Sequence, residues 1–363
     1  MFVDAHRARF WLLSLLLAFV TLAPGRAAAN GDFFWPSRIV VFGTSLSDPG
    51  NFYALTEQNV SAPDYGMTCG VAPDDCLSLI ARIPNAPYAQ GGNRYSNGAT
   101  WIEQLARELG YGPNAGPAWV ESRKRAFNYA FGSARALNNK EEPFDPRDLK
   151  EQVSKFLADV GGDAPSNALY IIEMGGNDIR DALIVAQTAG PGAALAHLDA
   201  AVSALGHGIK RLHAKGARRF LIWTAPDVGL TPALKAIGAS EFGTVLSGYF
   251  NANLERLLGT LTGTEINVPW EGFEELQGFK HVTFDAFGAL QKVAYAPHTF
   301  GLTDATTACI EPNVPPISTS EPPFRCQHPN RHLFWDGIHP TRAGHGIIAH
   351  LVLMTFLESF IDH

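Results

Sequence analysis

The sequence predicts an α/β fold: a mostly parallel, five-stranded sheet with helices on both faces, in one domain. Two observations lead there. Short apolar runs alternate with helical patterns along 363 residues. That alternation argues for a parallel sheet covered on both faces. The composition, 46% hydrophobic and 17% charged, supports a sizeable core and excludes global disorder.

In chain order, the first strand spans residues 38–42, where Ile39, Val40, Val41 and Phe42 run into Gly43. A helix over 98–109 follows, with Ser96 or Asn97 as its cap. Residues 126–130 are the second strand. A helix over 147–160 buries Leu149, Val153, Phe156 and Val160 and stops at Gly161-Gly162. Residues 168–173 form the third strand. The clearest helix, 194–215, carries Leu195, Leu198, Val202, Leu205, Ile209 and Leu212 at three- and four-residue spacing, with Gly216 as its stop. Strands at 219–224 and 281–284 flank a helical stretch, 231–261, broken near Gly238 or Gly243. A helix over 343–360 closes the chain.

Two stretches, 56–92 and 297–332, depart from this alternation. Both are rich in Pro, Asp and Asn, and each holds two of the four cysteines. They read as ordered surface insertions, with Cys69–Cys76 and Cys309–Cys326 as the local disulfides that close them. Paired cysteines fit an oxidising compartment. The N-terminus agrees: His6, Arg7 and Arg9 precede an apolar run from Phe10 to Val20, then Pro24-Gly25 and Ala27-Ala28-Ala29. That is a cleavable secretion signal over residues 1–29, with a run shorter than the ~20 residues that span a bilayer. The expected product is secreted or periplasmic, residues 30–363, with no stable membrane span. The net charge of −7 becomes more acidic when three arginines and one aspartate leave with the signal. With no Lys/Arg-rich run, nucleic acid is not an expected partner.

The first strand ends in a hydroxyl-rich turn, Gly43-Thr44-Ser45-Leu46-Ser47-Asp48. Near the C-terminus, Phe334-Trp335-Asp336-Gly337-Ile338-His339-Pro340-Thr341 sets a carboxylate three residues before an imidazole. Ser45, His339 and Asp336 are the parts of a nucleophile–base–orienter set. Gly132 follows the second strand and Asn177 the third. Strand C-termini in a parallel sheet open on one edge, so the N–H groups of Ser45 and Gly132 and the Asn177 amide can converge on one oxyanion. Taken singly, each piece also reads as a turn or a cap: Asp48 and Asp178 suit helix starts, and Gly and Asn suit turns. His207, His213, His345 and His350 lie on helices and read as surface or core. No cluster has metal-ligand spacing, and no metal or cofactor is expected. Trp101, Phe127 and Trp223 read as core. Tyr65, Met67, Tyr88, Tyr95, Phe334 and Trp335 lie near the motifs and can line a pocket or pack.

Four blocks in order, FGTSLSDPGN, NYAFGSA, GGND and DGIHPT, resemble those of GDSL-type esterases/lipases of the SGNH hydrolase superfamily. NRYSNGATWIEQLA, residues 93–106, resembles a further stretch of the larger lipase-like branch. The resemblance covers nearly all of residues 30–363. It implies a three-layer, flavodoxin-like fold, Ser45 as nucleophile, Asp336 and His339 as its partners, and Ser45, Gly132 and Asn177 as oxyanion donors. It implies a carboxylic ester substrate: a small molecule, a lipid or an acylated carbohydrate. Phospholipase, acyltransferase, polysaccharide deacetylase and a non-catalytic carbohydrate- or lipid-binding relative remain open. One position departs: the family usually has Asp where this chain has Thr44. The Gly-x-Ser-x-Gly elbow of α/β-hydrolases is absent, since Ser47 stands at its last position.

Overall fold

The computed structural model describes residues 35–56, 92–120, 125–138, 147–265, 267–310 and 326–359. The elements below all belong to one compact unit, Pro36–Asp362. The signal at 1–29, Cys69, Cys76, and Tyr65, Met67 and Tyr88 lie outside the described residues.

Four strands, β1 (Ile39–Gly43), β2 (Leu169–Glu173), β3 (Arg219–Trp223) and β4 (Lys280–Phe284), pair in that order and all in parallel. Their side chains divide by the two-residue period. Val40, Phe42, Tyr170, Ile172, Phe220 and Ile222 enter one core, and Ile39, Val41, Leu169, Ile171, Leu221 and Trp223 the other. Both faces of β1, β2 and β3 are therefore covered, which is why these strands read as apolar runs, whereas the edge strand β4 is partly exposed.

The fifth strand differs from expectation. Residues 126–131 run beside β1: Val41 N–H donates to Phe127 O at 2.9 Å, Tyr129 N–H to Val41 O at 2.8 Å and Phe131 N–H to Gly43 O at 3.0 Å. Only an isolated parallel bridge, Val41 to Asn128, forms there. Side chains take the next rung: the Gly43 N–H goes to Gln152 Oε1 at 2.9 Å and the Tyr129 carbonyl accepts Trp119 Nε1 at 3.0 Å, while Asn51 Nδ2 satisfies the outward-facing Asn128 and Ala130 carbonyls at 2.9 and 2.8 Å. Counting this segment, the chain crosses the sheet as 2-1-3-4-5, and the order reverses between β1 and β2. Ligand crevices of open α/β sheets lie outside the strand C-termini at that switch point.

Around the sheet lie α1 (Asn51–Thr56), α2 (Trp101–Glu108), α3 (Leu149–Asp159), α4 (Gly176–Ala189), α5 (Pro191–Ala214), α6 (Pro232–Ala236), α7 (Ser240–Thr262), α8 (Ala286–Tyr295) and α9 (Arg342–Glu358). The expected break near Gly238 separates α6 from α7, and Gly238 has φ 70°. The start of α2 shifts: Thr100 precedes its first residue, and Glu103 Oε2 accepts the Thr100 N–H at 3.0 Å. Ser96 and Asn97 are thus not its caps. The 297–332 insertion contains a strand, β5 (Asp304–Ala308), that pairs in parallel with β6 (His332–Phe334). The Cys309–Cys326 disulfide follows β5 directly, with Cα atoms 4.9 Å apart. Among the described residues no helix is long and apolar enough to cross a membrane.

Candidate active site

β1 delivers the chain into the turn that holds Ser45. Ser47 N–H donates to Thr44 O at 3.1 Å, so Ser45 and Leu46 are the centre of a four-residue turn. Asp48 then anchors the start of α1, accepting N–H groups from Gly50, Asn51 and Phe52 at 2.8, 2.5 and 3.1 Å. Its capping role is as expected. Burial pushes the Asp48 carboxyl up to about 6, against the pull of these donors.

The histidine arrives from the other end of the chain, on the loop between β6 and α9. Asp336 Oδ1 accepts the N–H groups of Ile338 and His339 at 2.8 and 2.7 Å, which folds the loop back on itself. Asp336 Oδ2 lies 2.6 Å from His339 Nδ1, and His339 Nε2 lies 2.8 Å from Ser45 Oγ. A carboxylate only accepts, so Nδ1 carries the proton and Nε2 presents its lone pair to the serine hydroxyl. Asp336 and His339 are 0% and 1% exposed, so the pair is buried. Three residues of the 93–106 stretch brace this loop. The Tyr95 and His339 ring centroids are 5.0 Å apart, Ser96 Oγ donates to Pro340 O at 2.9 Å, and Asn97 Oδ1 accepts the Arg342 N–H at 2.6 Å. That work replaces the capping role expected of Ser96 and Asn97.

Of the expected oxyanion donors, two face the site and one does not. Ser45 and Asn177 line the same cleft as His339. Asn177 sits in the first turn of α4, and its Nδ2 donates to Ala134 O at 2.8 Å. A primary amide has a second N–H. The Ser45 N–H has no acceptor among the described residues. Gly132 corrects the expectation: its N–H donates to Asp48 Oδ2 at 2.9 Å, away from the serine. Its lack of a side chain serves packing, because a Cβ there would lie 2.1 Å from Tyr95 Oη. Asp178 is also reassigned. Its carboxylate accepts N–H groups from Ala136 and Leu137 at 3.0 and 2.9 Å, tying the Gly132 loop to α4.

Other side chains at the site carried no motif. Gln152 of α3 accepts the Gly43 N–H at 2.9 Å and returns a hydrogen bond to Gly43 O at 2.8 Å, ending β1 where its ladder stops. Glu173, the last residue of β2, is buried beside the Ser45 turn at the wall of the same cleft, and burial pushes its carboxyl up to about 7. A carboxylate inside an apolar strand was the one available signal. Buried His345, on α9, is pushed down to about 3 by burial and by His339. Phe334 and Trp335 are buried: Phe334 joins a core cluster and Trp335 packs with Cys309 and Ile310. Trp101 and Trp223 are buried core residues, and Phe127 packs against the core while partly buried. The cleft lining includes the apolar side chains of Leu46, Leu183, Val228, Leu234 and Ile338.

Residues 39–352 match the family described as GDSL-like lipase/acylhydrolase. Similar proteins include a GDSL esterase/lipase of Arabidopsis thaliana, 25% identical over 94% of this chain and 93% of its own length. A second Arabidopsis thaliana protein, named an inactive GDSL esterase/lipase-like protein, is 23% identical over 86% of this chain and 70% of its own. A phosphatidylcholine-sterol acyltransferase of Aeromonas hydrophila is 24% identical over 96% of this chain and 98% of its own.

Proposed function

This chain belongs to the GDSL-like lipase/acylhydrolase family and is a carboxylic ester hydrolase, and from that premise we propose that it works through an acyl-enzyme on Ser45. The observation that carries the reading is the unbroken line from Asp336 Oδ2 to His339 to Ser45 Oγ, at 2.6 and 2.8 Å. His339 Nε2 removes the hydroxyl proton as Ser45 Oγ bonds to the ester carbonyl carbon. Asp336 holds the tautomer and stabilises the imidazolium. The Ser45 N–H and the second Asn177 N–H receive the oxyanion. Collapse of the tetrahedral species expels the alcohol, which takes the proton from His339. Water, deprotonated by His339, then attacks the acyl-enzyme, and as the tetrahedral species collapses Ser45 Oγ leaves, takes the proton back from His339 and the acid is released.

The intact Ser45, Asp336, His339 and Asn177 favour catalysis over a non-catalytic binding role. The likeness to an acyltransferase supports one second reading, in which an alcohol replaces water in the last step. The substrate is a small-molecule, lipid or acylated carbohydrate ester, reached after export to the periplasm or medium and loss of residues 1–29. N-terminal sequencing of the exported protein checks that cleavage. The function is tested with p-nitrophenyl esters of graded acyl length. Wild type hydrolyses them, and Ser45→Ala loses roughly four to six orders of magnitude in kcat. A Ser45→Ala protein with wild-type turnover defeats the assignment. Product analysis with added alcohol separates hydrolysis from transfer.

A further inference from the structure

Glu173 stands directly beside Gly43 in the β1–β2 register. Its carboxylate takes both ends of the nucleophile turn. Oε2 accepts the Thr44 N–H at 3.0 Å and the Ser47 hydroxyl at 2.9 Å. The Thr44 hydroxyl donates to Oε1 at 2.9 Å and lies 3.1 Å from Oε2. Ser47 Oγ in turn accepts from Trp101 Nε1 at 3.0 Å, which ties the assembly to α2. The absence of a side chain at Gly43 makes room, since a Cβ there would lie 2.9 Å from Glu173 Oε2. Thr44 and Ser47 are the outer residues of the turn whose centre is Ser45 and Leu46. One buried carboxylate therefore grips the turn on both sides of the serine.

The two halves of the proton path come from segments 294 residues apart. Asp336 orders only the histidine half. The serine turn is held from its own side, by Gln152 at Gly43, by the Asn128 Nδ2 donation to Ser47 O at 2.8 Å and by the Glu173 clamp. Thr44, where the family block usually has Asp, donates to this carboxylate through both its N–H and its hydroxyl. We propose that Glu173 is a positioning residue for Ser45, holding the nucleophile turn in register with His339 through Thr44 and Ser47. This rests on the reading of Ser45 as the nucleophile.

The test compares wild type, Ser45→Ala, Glu173→Gln and Thr44→Val for p-nitrophenyl ester turnover, Tm and the rate of Ser45 labelling by an organophosphonate. Gln keeps the volume of Glu but turns an N–H₂ toward donors. Misplacement of the nucleophile predicts that Glu173→Gln loses roughly 10- to 100-fold in kcat at nearly constant KM. Labelling slows in parallel. A folded Glu173→Gln enzyme with wild-type kcat and labelling overturns the proposal, as does a fall in Tm with unchanged turnover per folded molecule. If Glu173→Gln does not fold, Thr44→Val decides. It keeps the charge and removes one grip, so kcat falls at constant KM, and wild-type kcat overturns the proposal. Ser45→Ala separates the two failures. An inactive Ser45→Ala beside a fully active Glu173→Gln removes the clamp alone, whereas an active Ser45→Ala removes the nucleophile assignment and the clamp with it.

Discussion

The Asn177 side chain donates to the Ala134 carbonyl at 2.8 Å. That bond orients the amide toward the cleft shared with Ser45 and His339. If the second N–H serves the oxyanion, it matters most in the transition state. Asn177→Ala then lowers kcat by ~10²–10³, about 2.7–4 kcal/mol, with little change in KM. Asn177→Asp is at least as inactive, because its carboxylate repels both the Ala134 carbonyl and the oxyanion. Steady-state kinetics on folded protein checks both, and near-normal kcat in Asn177→Asp would sink the oxyanion role.

Gly132 gives a packing prediction where a backbone donor was expected. An added methyl meets Tyr95 Oη at 2.1 Å and Tyr95 Cζ at 2.5 Å, and the Tyr95 ring lies against His339. Gly132→Ala costs roughly 1–3 kcal/mol by overpacking and lowers kcat by displacing the imidazole. A double-mutant cycle with Tyr95→Ala, read by urea unfolding, shows strong coupling. Additive losses would mean that the tyrosine is not the obstacle.

His345 makes stability depend on pH. It is fully buried, and neither ring nitrogen has a partner among the described residues. Burial, then His339, pushes it down from 6.5 to about 3. The unfolded chain therefore binds the extra proton first, and this contribution to stability is present above pH 6.5 and is lost as pH falls toward 3. Relative to wild type, His345→Leu gains about 2 kcal/mol between pH 8 and pH 5. Denaturant midpoints at the two pH values measure the gain, and a constant difference refutes it.

Glu173 acts in the opposite sense. Burial raises its carboxyl from 4.5 to about 7, so the folded state holds the proton longer than the unfolded state does. The stability it contributes is full below pH 4.5 and is lost as pH rises through 7. Glu173→Gln removes this slope, and unfolding curves at pH 4.5 and 7.5 show the wild type losing more stability than the variant. Equal losses would contradict the shift.

The Cys309–Cys326 bond closes a 17-residue separation just after β5. Cys309 N–H donates to Phe334 O at 3.1 Å, two residues before Asp336. Replacing both cysteines by serine lowers stability by about 3 kcal/mol on loop-entropy grounds. A Tm equal to wild type would show that the bond constrains little.

What the sequence by itself determined is local and periodic. Apolar runs marked β1, β2 and β3 because both faces of those strands are buried, whereas the edge strand β4 is partly exposed. Three- and four-residue spacing marked α5, and Gly238 marked the break between α6 and α7. The short spacing of Asp336 and His339 marked a carboxylate–imidazole pair, since one turn of chain suffices to join them. Only the tertiary structure decided which polar groups satisfy one another across long separations. Gly132 N–H is given to Asp48, 84 residues away. Glu173 reaches 129 residues back to Thr44, and Ser96 reaches 244 residues forward to Pro340. Buried N–H and carboxylate groups must all find partners, and which partner is within reach depends on how the strands stack. That is why residues 126–131 could look like a strand and lose a rung of the ladder to Gln152 and Trp119. It is also why a glutamate inside an apolar run stood out in the sequence without revealing that its partner would be the turn of Ser45.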